Sequence, residues 1–440
     1  MSDNYLSWGH YPRISQKVQE IHWRSEQLPK LIGEESVLPY GLGRSYGDVC
    51  LNEGGTILST SSMARFIAFD DETGLLRCDA GVCLHDLLQF IVPKGWFVPV
   101  TPGTRYVTIG GMIANDVHGK NHHRVGTFGC HVTCFELLRS NGKRLVCSQD
   151  ENPQLFTATI GGLGLTGLIT WAEIKLSKIA GPFIDTESIR FDDLSDFFEL
   201  SKESDKTWEY TVAWIDSLAK GKNLGRGLFM RGNHSDKTHP DKFDELKPKL
   251  AIPVNAPSNL LNKYSIKLFN SAYYRKQLGR TIQRQQFYDK YFYPLDGIGD
   301  WNRLYGKKGL LQYQCVVPMD YGYEAISEIL GQCANKGQGS FLSVLKVFGK
   351  KKSPGLLSFP REGATLALDF PNRGKETFLL LDSLDKIVTE ANGAVYPAKD
   401  ARMNSNSFKS YYPNWAEFAE YIDPRFSSSF WRRVMEQTGS

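Results

Sequence analysis

An α+β fold of more than one domain is what this 440-residue chain predicts. Three observations carry that expectation. From Thr56 to Ile174, short β-rich runs are broken by glycine turns rather than by regularly spaced helices, so a βαβ repeat is disfavoured. After Ile179-Ala180-Gly181-Pro182 glycine thins out, aromatic and charged residues rise, and helical periodicity appears. With 41% hydrophobic and 23% charged residues the chain can bury sizeable cores, which excludes a disordered, collagenous or disulfide-stapled polypeptide.

The elements follow in order. Leu75–Ala80, Trp96–Val100 and Leu168–Leu176 read as strands, the last because it alternates and is β-branched. Leu84–Val92 reads as a helix, and past the break at Gly181 so do Asp193–Lys202 and Gly322–Ala334. Lys350-Lys351-Lys352-Ser353-Pro354-Gly355 reads as a solvated turn, and a compact Tyr-Pro-Ala-Lys-Asp-Ala-Arg element follows Asn392, ahead of a helical terminus.

Charge and cysteine bound the function. The net charge is +4, but Leu246–Gln286 holds eight Lys or Arg (Lys247, Lys249, Lys263, Lys267, Arg275, Lys276, Arg280, Arg284) and no Asp or Glu, leaving −4 for the rest. No nucleic-acid module accompanies this basic loop, so nucleic acid is not an expected partner. Its mixture with Leu260, Leu261, Tyr264, Ile266, Leu268, Phe269, Tyr273 and Tyr274 suits either an anionic membrane surface or a plain exposed loop. The eight cysteines fall in predicted strands without C-x-x-C spacing, which favours reduced, buried thiols. Met1–Pro12 lacks the pattern of a signal peptide, and no run of 18 apolar residues is present.

Glycine is in excess, at 41 residues against a typical share of roughly 7%, and much of the excess lies in three stretches before residue 170. Gly162–Gly167 matches G-x-G-x-x-G, yet a strand follows it where a dinucleotide fold needs a helix, so a structural turn is expected. The first stretch, Pro39–Asp48, can point consecutive N–H groups inward as an anion cradle. The second, Pro102–His123, supplies small residues over a length that suits a flat aromatic cofactor. Its histidines, His118, His122 and His123, have no ligand-spaced partners for a metal, so no metal site is expected; His118 is expected to face a cofactor and the other two to sit in a turn.

GLGRSYGD at Gly41–Asp48, PGTRYVTIGG at Pro102–Gly111, HGKNHH at His118–His123, GGLGLTG at Gly161–Gly167, LQYQ at Leu311–Gln314 and AKDAR at Ala398–Arg402 together resemble the decaprenylphosphoryl-β-D-ribose 2′-oxidase family. That family belongs to the vanillyl-alcohol-oxidase-like flavoproteins, with a PCMH-type FAD-binding fold. The resemblance implies an FAD-binding domain in two pieces, 1–180 and 394–440, around a substrate domain, 181–393, built on an antiparallel sheet. It implies FAD contacts from Gly41, Gly43, Arg44, Ser45, Tyr46 and Gly47, then from Gly103, Thr104, Thr108, Gly110, Gly111, Ala114, Val117, His118, Gly119 and Gly126, and from Ile169 and Tyr396. Some relatives bind flavin covalently through a histidine in the first loop; Arg44 stands here, so non-covalent FAD is expected.

Oxidising a secondary alcohol needs a hydride acceptor, a route for the hydroxyl proton and a cation for the arriving negative charge. The resemblance assigns the cation to Lys399, otherwise a surface lysine, with Tyr46 and His118 facing the same site. Gln312 and Gln314 share one face of a strand; either they line a polar pocket with Lys346 or they face solvent. Trp214 fits a pocket wall or a core. Mycobacterial members carry Asn-Ile-Cys-Val-Asp-Phe-Pro where Thr365-Leu-Ala367-Leu-Asp369-Phe-Pro371 stands, so the walls at Thr365 and Ala367 differ while the reacting groups persist. The implied substrate is a polyprenyl-phosphate-linked pentose oxidised at its 2′-hydroxyl. The implied partner is a short-chain-type NAD-dependent keto-reductase, and the implied location is the inner membrane's periphery, on the cytoplasmic or periplasmic side. A soluble alditol or aldonolactone oxidase and a non-catalytic flavin or lipid binder are the rival readings.

Overall fold

The computed structural model describes residues 5–236, 250–257 and 259–436. Lys247 and Lys249 of the basic segment, and the first four residues of Met1–Pro12, lie outside them. The N-terminal part builds two sheets. One is parallel, with β1 (Lys17–Glu20), β2 (Val37–Tyr40) and β3 (Thr56–Ser59) in the order β1-β3-β2. The other is antiparallel, with β4 (Phe66–Asp70), β5 (Leu75–Asp79), β6 (Val132–Leu138), β7 (Arg144–Ser148) and β8 (Leu168–Lys175) in the order β4-β5-β8-β6-β7. The helix Leu84–Ile91 buries Leu84, Leu87, Leu88 and Ile91, one stripe at helical spacing. The run expected as a strand at Trp96–Val100 shortens to Trp96–Phe97, since Pro99 has no N–H for a ladder.

Beyond Gly181 the chain forms an eight-stranded antiparallel sheet from β9 (Phe183–Phe191), β10 (Tyr210–Ile215), β11 (Gly227–His234), β12 (Thr281–Phe287), β13 (Leu310–Val317), β14 (Ser343–Phe348), β15 (Gly363–Pro371) and β16 (Ala394–Val395). Its order is β12-β9-β11-β10-β14-β15-β13-β16. Side chains alternate across a strand, so β13 and β15 each present two different faces. Leu311, Tyr313, Cys315 and Val317, with Ala364, Leu366, Leu368 and Phe370, pack in one core with the helices Gly322–Lys336 and Lys375–Glu390. Each such fully buried leucine contributes about 1.5–3 kcal/mol. The opposite face carries Gln312, Gln314, Thr365, Ala367 and Asp369, and that face borders the site.

After β16 the chain returns to the N-terminal part. Phe426 bridges to Val37, and Ser429 N–H donates to Leu51 O at 2.7 Å. On the closing helix Ser429–Met435, the Arg433 guanidinium ties Asp48 (2.7 Å) to Asp400 (3.0 Å).

Three expectations change here. The basic segment is not a loop: its described part is the helix Lys263–Arg275, opened by an Asn262–Ser265 capping box, and the edge strand β12. Ile266, Asn270 and Tyr274 bury one stripe of that helix, while Tyr264 (79%) and Leu268 (73%) stay exposed. The Lys350–Gly355 turn is only partly solvated, because the hydroxyls of Ser353 and Ser358 both donate to the buried Asp116 carboxylate. All eight cysteines are free, but Cys50, Cys83, Cys130 and Cys333 lie at turns, a helix cap and a helix rather than in strands. Among the described residues, no helix is long and apolar enough to cross a membrane.

Candidate active site and cofactor cavity

A cavity of about 570 Å³ lies between the glycine segments and the polar face of the large sheet, within the range of small-molecule and cofactor sites. Gly41, Gly43, Arg44, Ser45 and Tyr46 line it, as do Gly103, Thr104, Thr108, Gly110, Gly111, Ala114, Val117, His118, Ile169 and Tyr396. Bare backbone is needed where the segments meet. A Cβ on Gly41 would lie 2.4 Å from Thr108 Oγ1, the atom that caps the helix Ile109–Ala114 by accepting from Gly111 N–H at 3.1 Å.

Three glycines expected in the cavity wall are not there. Gly47 abuts the Asp400 carbonyl, Gly119 packs on Thr101 and Asn121, and Gly126 follows the short helix His122–Val125 at φ +80°. Each sits at a close backbone approach or a left-handed turn that glycine suits. Trp214 also leaves the site: it is buried with Leu228 and Tyr274, and its indole N–H donates to Phe341 O at 2.9 Å. Conversely, the Gly162–Gly167 turn contributes, since Leu163, Gly164 and Gly167 line the cavity. His122 is buried against Phe348 within the short helix, instead of sitting in a turn. Among the described residues, no group of three His, Cys, Asp or Glu is placed to hold a metal.

The sheet side of the cavity is polar. Gln312 and Gln314 of β13 stand opposite Asp369 and Ala367 of β15, and Lys346 of β14 stands opposite Thr365. Gln312 Nε2 donates to Asp369 Oδ1. Gln314 Nε2 donates to Thr365 Oγ1 at 3.3 Å and lies 2.9 Å from His118 Nε2. An amide nitrogen only donates, so His118 Nε2 is the acceptor and Nδ1 carries the proton. That Nδ1–H is buried and has no hydrogen-bond partner among the described residues. Burial, with Lys346, His122 and Lys399 nearby, holds His118 well below the usual histidine range, hence neutral.

Lys399 ends a short turn, Pro397–Lys399, and is held in place by its backbone neighbours. Tyr46 N–H donates to Ala398 O at 2.9 Å, Arg433 grips Asp400, and the Lys399 Nζ lies 4.0 Å from the Tyr46 ring centroid, a cation–π contact. Burial lowers the Lys399 ammonium to about 8 against the pull of Asp369, and lowers Lys346 likewise to about 8, with Lys399 adding to the effect. Burial raises the Asp369 carboxyl to about 7, against the opposing influence of Gln312 and Lys399. The Arg44 guanidinium lies on Trp8 at 4.2 Å, and its Nε–H donates to Tyr106 O at 3.0 Å.

Asp369 is the residue that sequence reasoning misses. The signal is present: the two-residue period that puts Thr365 and Ala367 on the cavity face puts Asp369 there too. Asp48 likewise reads only as part of a loop, whereas its carboxylate anchors Arg433 and through it the Lys399 turn.

The cavity accepts a flavin dinucleotide on its own geometry. One side is glycine backbone, where a Cβ on Gly103 would meet nothing within 4 Å, and two residues of the lining, Asn115 and His118, each hold a buried polar atom, Oδ1 and Nδ1, with no hydrogen-bond partner among the described residues. Residues 33–148 match the family model of an FAD binding domain. The chain is 36% identical over 419 residues to decaprenylphosphoryl-β-D-ribose oxidase of Mycolicibacterium smegmatis, covering 91% of this chain and 90% of the relative. It is 33% identical to an uncharacterized protein from the mprA 5′ region of Streptomyces coelicolor, over 80% of this chain and all of the relative. D-arabinono-1,4-lactone oxidase of Yarrowia lipolytica is more distant, at 23% over 46% of this chain and 38% of its own length. With its α+β fold, its FAD-binding domain and a polar pocket suited to a carbinol, the chain is an FAD-dependent oxidoreductase and belongs to the decaprenylphosphoryl-β-D-ribose oxidase family.

Proposed function

We propose that this enzyme oxidises the 2′-hydroxyl of a polyprenylphosphoryl pentose to the ketone, the first half of an epimerisation that a separate short-chain-type NAD-dependent keto-reductase completes. The observation that carries the reading is the polar wall of Gln312, Gln314, Lys346, Asp369 and Lys399 facing the glycine cradle across one cavity. Two amides and a carboxylate hydrogen-bond sugar hydroxyls, and two lysines offset a phosphodiester. The match to the mycobacterial oxidase over nine-tenths of both chains supports the same substrate class.

FAD supplies the two-electron acceptor. The glycine segments would hold it without a covalent bond, consistent with the stacking of Arg44 on Trp8. Lys399 orients the carbinol oxygen and supplies positive charge as electrons leave it. Gln314 fixes the His118 tautomer, with the proton on Nδ1, and so holds the ring in place on the cavity wall. Tyr46 holds the Lys399 ammonium over its ring face. Thr365 and Ala367 widen the wall relative to an Asn/Cys pair and adjust the fit to the sugar. The division into 1–180, 181–393 and 394–440 belongs to the same reading, supported by the return of the C-terminal helices to β2, although Ala394–Val395 still pairs with β13.

The lipid tail accounts for the basic segment. Leu250–Ala251 pairs with Ile298–Gly299, which line the cavity, and Ala256 N–H donates to Arg303 O, so the segment with the exposed Leu250 and Val254 adjoins the cavity wall, and the exposed Leu260, Tyr264 and Leu268 follow it in the chain. Lys263, Lys267, Arg275 and Lys276 flank them, each giving about 1 kcal/mol at an anionic surface. This patch docks the enzyme peripherally on the inner membrane.

Anaerobic mixing with polyprenylphosphoryl ribose should bleach the flavin band, and Lys399→Met should keep the yellow colour while slowing bleaching at least ~100-fold. Bleaching by free alditols but not by the lipid would replace this substrate with a soluble one. Charge reversal at Lys263, Lys267, Arg275 and Lys276 that left binding to anionic liposomes unchanged would remove the membrane.

A further inference from the structure

We propose that Asp369 is the base that takes the substrate's hydroxyl proton. The inference rests on the oxidation proposed above and names the group that such an oxidation requires.

Five titratable groups belong to or border the polar wall of the cavity, and one of them, Lys346, is a cation that offsets the phosphodiester in the reading above. His118 is unsuited, because its lone pair at Nε2 is committed to the Gln314 amide and its other nitrogen already carries a proton. Lys399 works as a cation, and a free amine at that position would forfeit the charge that stabilises the departing electrons. The Tyr46 phenol is held far above its ordinary range by burial, with Asp369 adding to the effect, so its phenolate is unpopulated near neutrality. Asp369 remains. It is 2% exposed, lines the cavity, and uses only Oδ1 for Gln312; no described group bonds Oδ2. The other cavity carboxylates are engaged elsewhere: Asp296 accepts from Arg105 N–H at 2.9 Å, and Asp300 pairs with Arg303 at 3.2 Å.

The groups facing Asp369 make it a usable base. Gln312 comes from β13, Lys399 from the Pro397–Lys399 turn, Tyr46 from the first glycine segment and Tyr305 from the turn Trp301–Tyr305, while Ser340 Oγ accepts its backbone N–H at 3.0 Å. Lys399 and the Gln312 amide favour the carboxylate; burial favours the acid. The opposing influences bring it near neutrality, where a base works with both forms accessible. In the balanced step the carbinol C–H bond breaks and its electron pair and hydrogen pass to the flavin. The O–H bond breaks with its proton going to Asp369 Oδ2, and C=O forms. Exchange with water then returns that proton to solvent.

The test compares Asp369→Asn, which still offers Gln312 an acceptor, with Asp369→Glu in holoenzyme. Flavin reduction under anaerobic stopped flow should fall ~10²–10⁴-fold in Asp369→Asn and lose the acid limb of its pH profile, while Asp369→Glu recovers part of the rate and keeps the limb. Independently of turnover, infrared difference spectra of the wild type should show a carboxyl C=O band titrating near neutrality, and Asp369→Asn should lack it. An Asp369→Asn enzyme that keeps the acid limb, at whatever rate, would overturn the proposal, as would a wild-type spectrum with no band removed by the substitution. If the lipid sugar fails to reduce wild-type flavin while an alditol succeeds, the substrate reading falls, and the same pH comparison with the alditol still decides the base.

Discussion

Replacing Gly47 with alanine perturbs the seam on which the active site depends. The new Cβ would sit 1.6 Å from the Asp400 carbonyl oxygen and 2.5 Å from its carbon. Carbon–oxygen contacts settle at about 3.3 Å or more, so the two backbones must part by about 1.5 Å. Overpacking of this kind costs about 1–3 kcal/mol. The Tyr46 N–H to Ala398 O bond, now 2.9 Å, would stretch beyond useful range and lose about 0.5–1.5 kcal/mol more. We therefore expect Gly47→Ala to lower unfolding stability by about 1.5–4.5 kcal/mol. The same displacement moves Lys399, the neighbour of Asp400, away from the Tyr46 ring, and a 1 Å misplacement of catalytic groups costs about 100-fold in rate. Urea titration gives the first number and anaerobic flavin bleaching the second. A variant with an unchanged urea midpoint and wild-type bleaching would show that this seam yields freely and does not position Lys399.

Gly331 offers the opposite case: it lies inside the helix Gly322–Lys336, and a Cβ there meets nothing within 4 Å, so Gly331→Ala should stabilise the protein by about 0.8–1 kcal/mol in urea. Arg105 of the second glycine segment pairs with Asp289 at 2.7 Å, the side chains 3% and 0% exposed. Asp289→Ala should cost about 3–5 kcal/mol by taking a buried carboxylate away from a buried guanidinium, and a loss below 1 kcal/mol would contradict that burial. His234 packs edge-on against Phe97 and Tyr210, and burial lowers it from 6.5 to about 4. Its folded form binds the proton less readily than its unfolded form, so it contributes stability above pH 6.5 that is lost as pH falls toward 4. Between pH 7 and 5 the wild type should lose about 2 kcal/mol more than His234→Phe, and equal slopes in urea series at the two pH values would refute the assignment.

Much of the site is legible in the order of the residues. The excess of glycine marks out segments suited to a close-lying ligand, and glycines 41, 43, 103, 110 and 111 line the cavity. Gln312 and Gln314 share a face because strand side chains alternate, and that face is polar on the cavity side. The expected site residues that do not line the cavity share a cause. Gly47, Gly119, Gly126 and Trp214 are expected at the ligand, yet each answers to a neighbour remote in the chain or to a local turn. The basic segment looks like a loop because its charges and aromatics mask a narrow buried stripe of Ile266, Asn270 and Tyr274.

Local features follow from the chain alone: the α+β class, the turns that require glycine, and the strand faces set by a period of two. Backbone sterics and side-chain alternation dictate them, and both act over a few residues. Which polar groups converge is settled by packing. Asp48, Asp400 and Arg433 meet from positions nearly four hundred residues apart, and Asp369 acquires its chemistry from Gln312, Lys399, Tyr46 and Tyr305, brought together by four separate elements. Burial and proximity to charge set a carboxyl's proton affinity, and both are properties of the packed interior rather than of the chain's order.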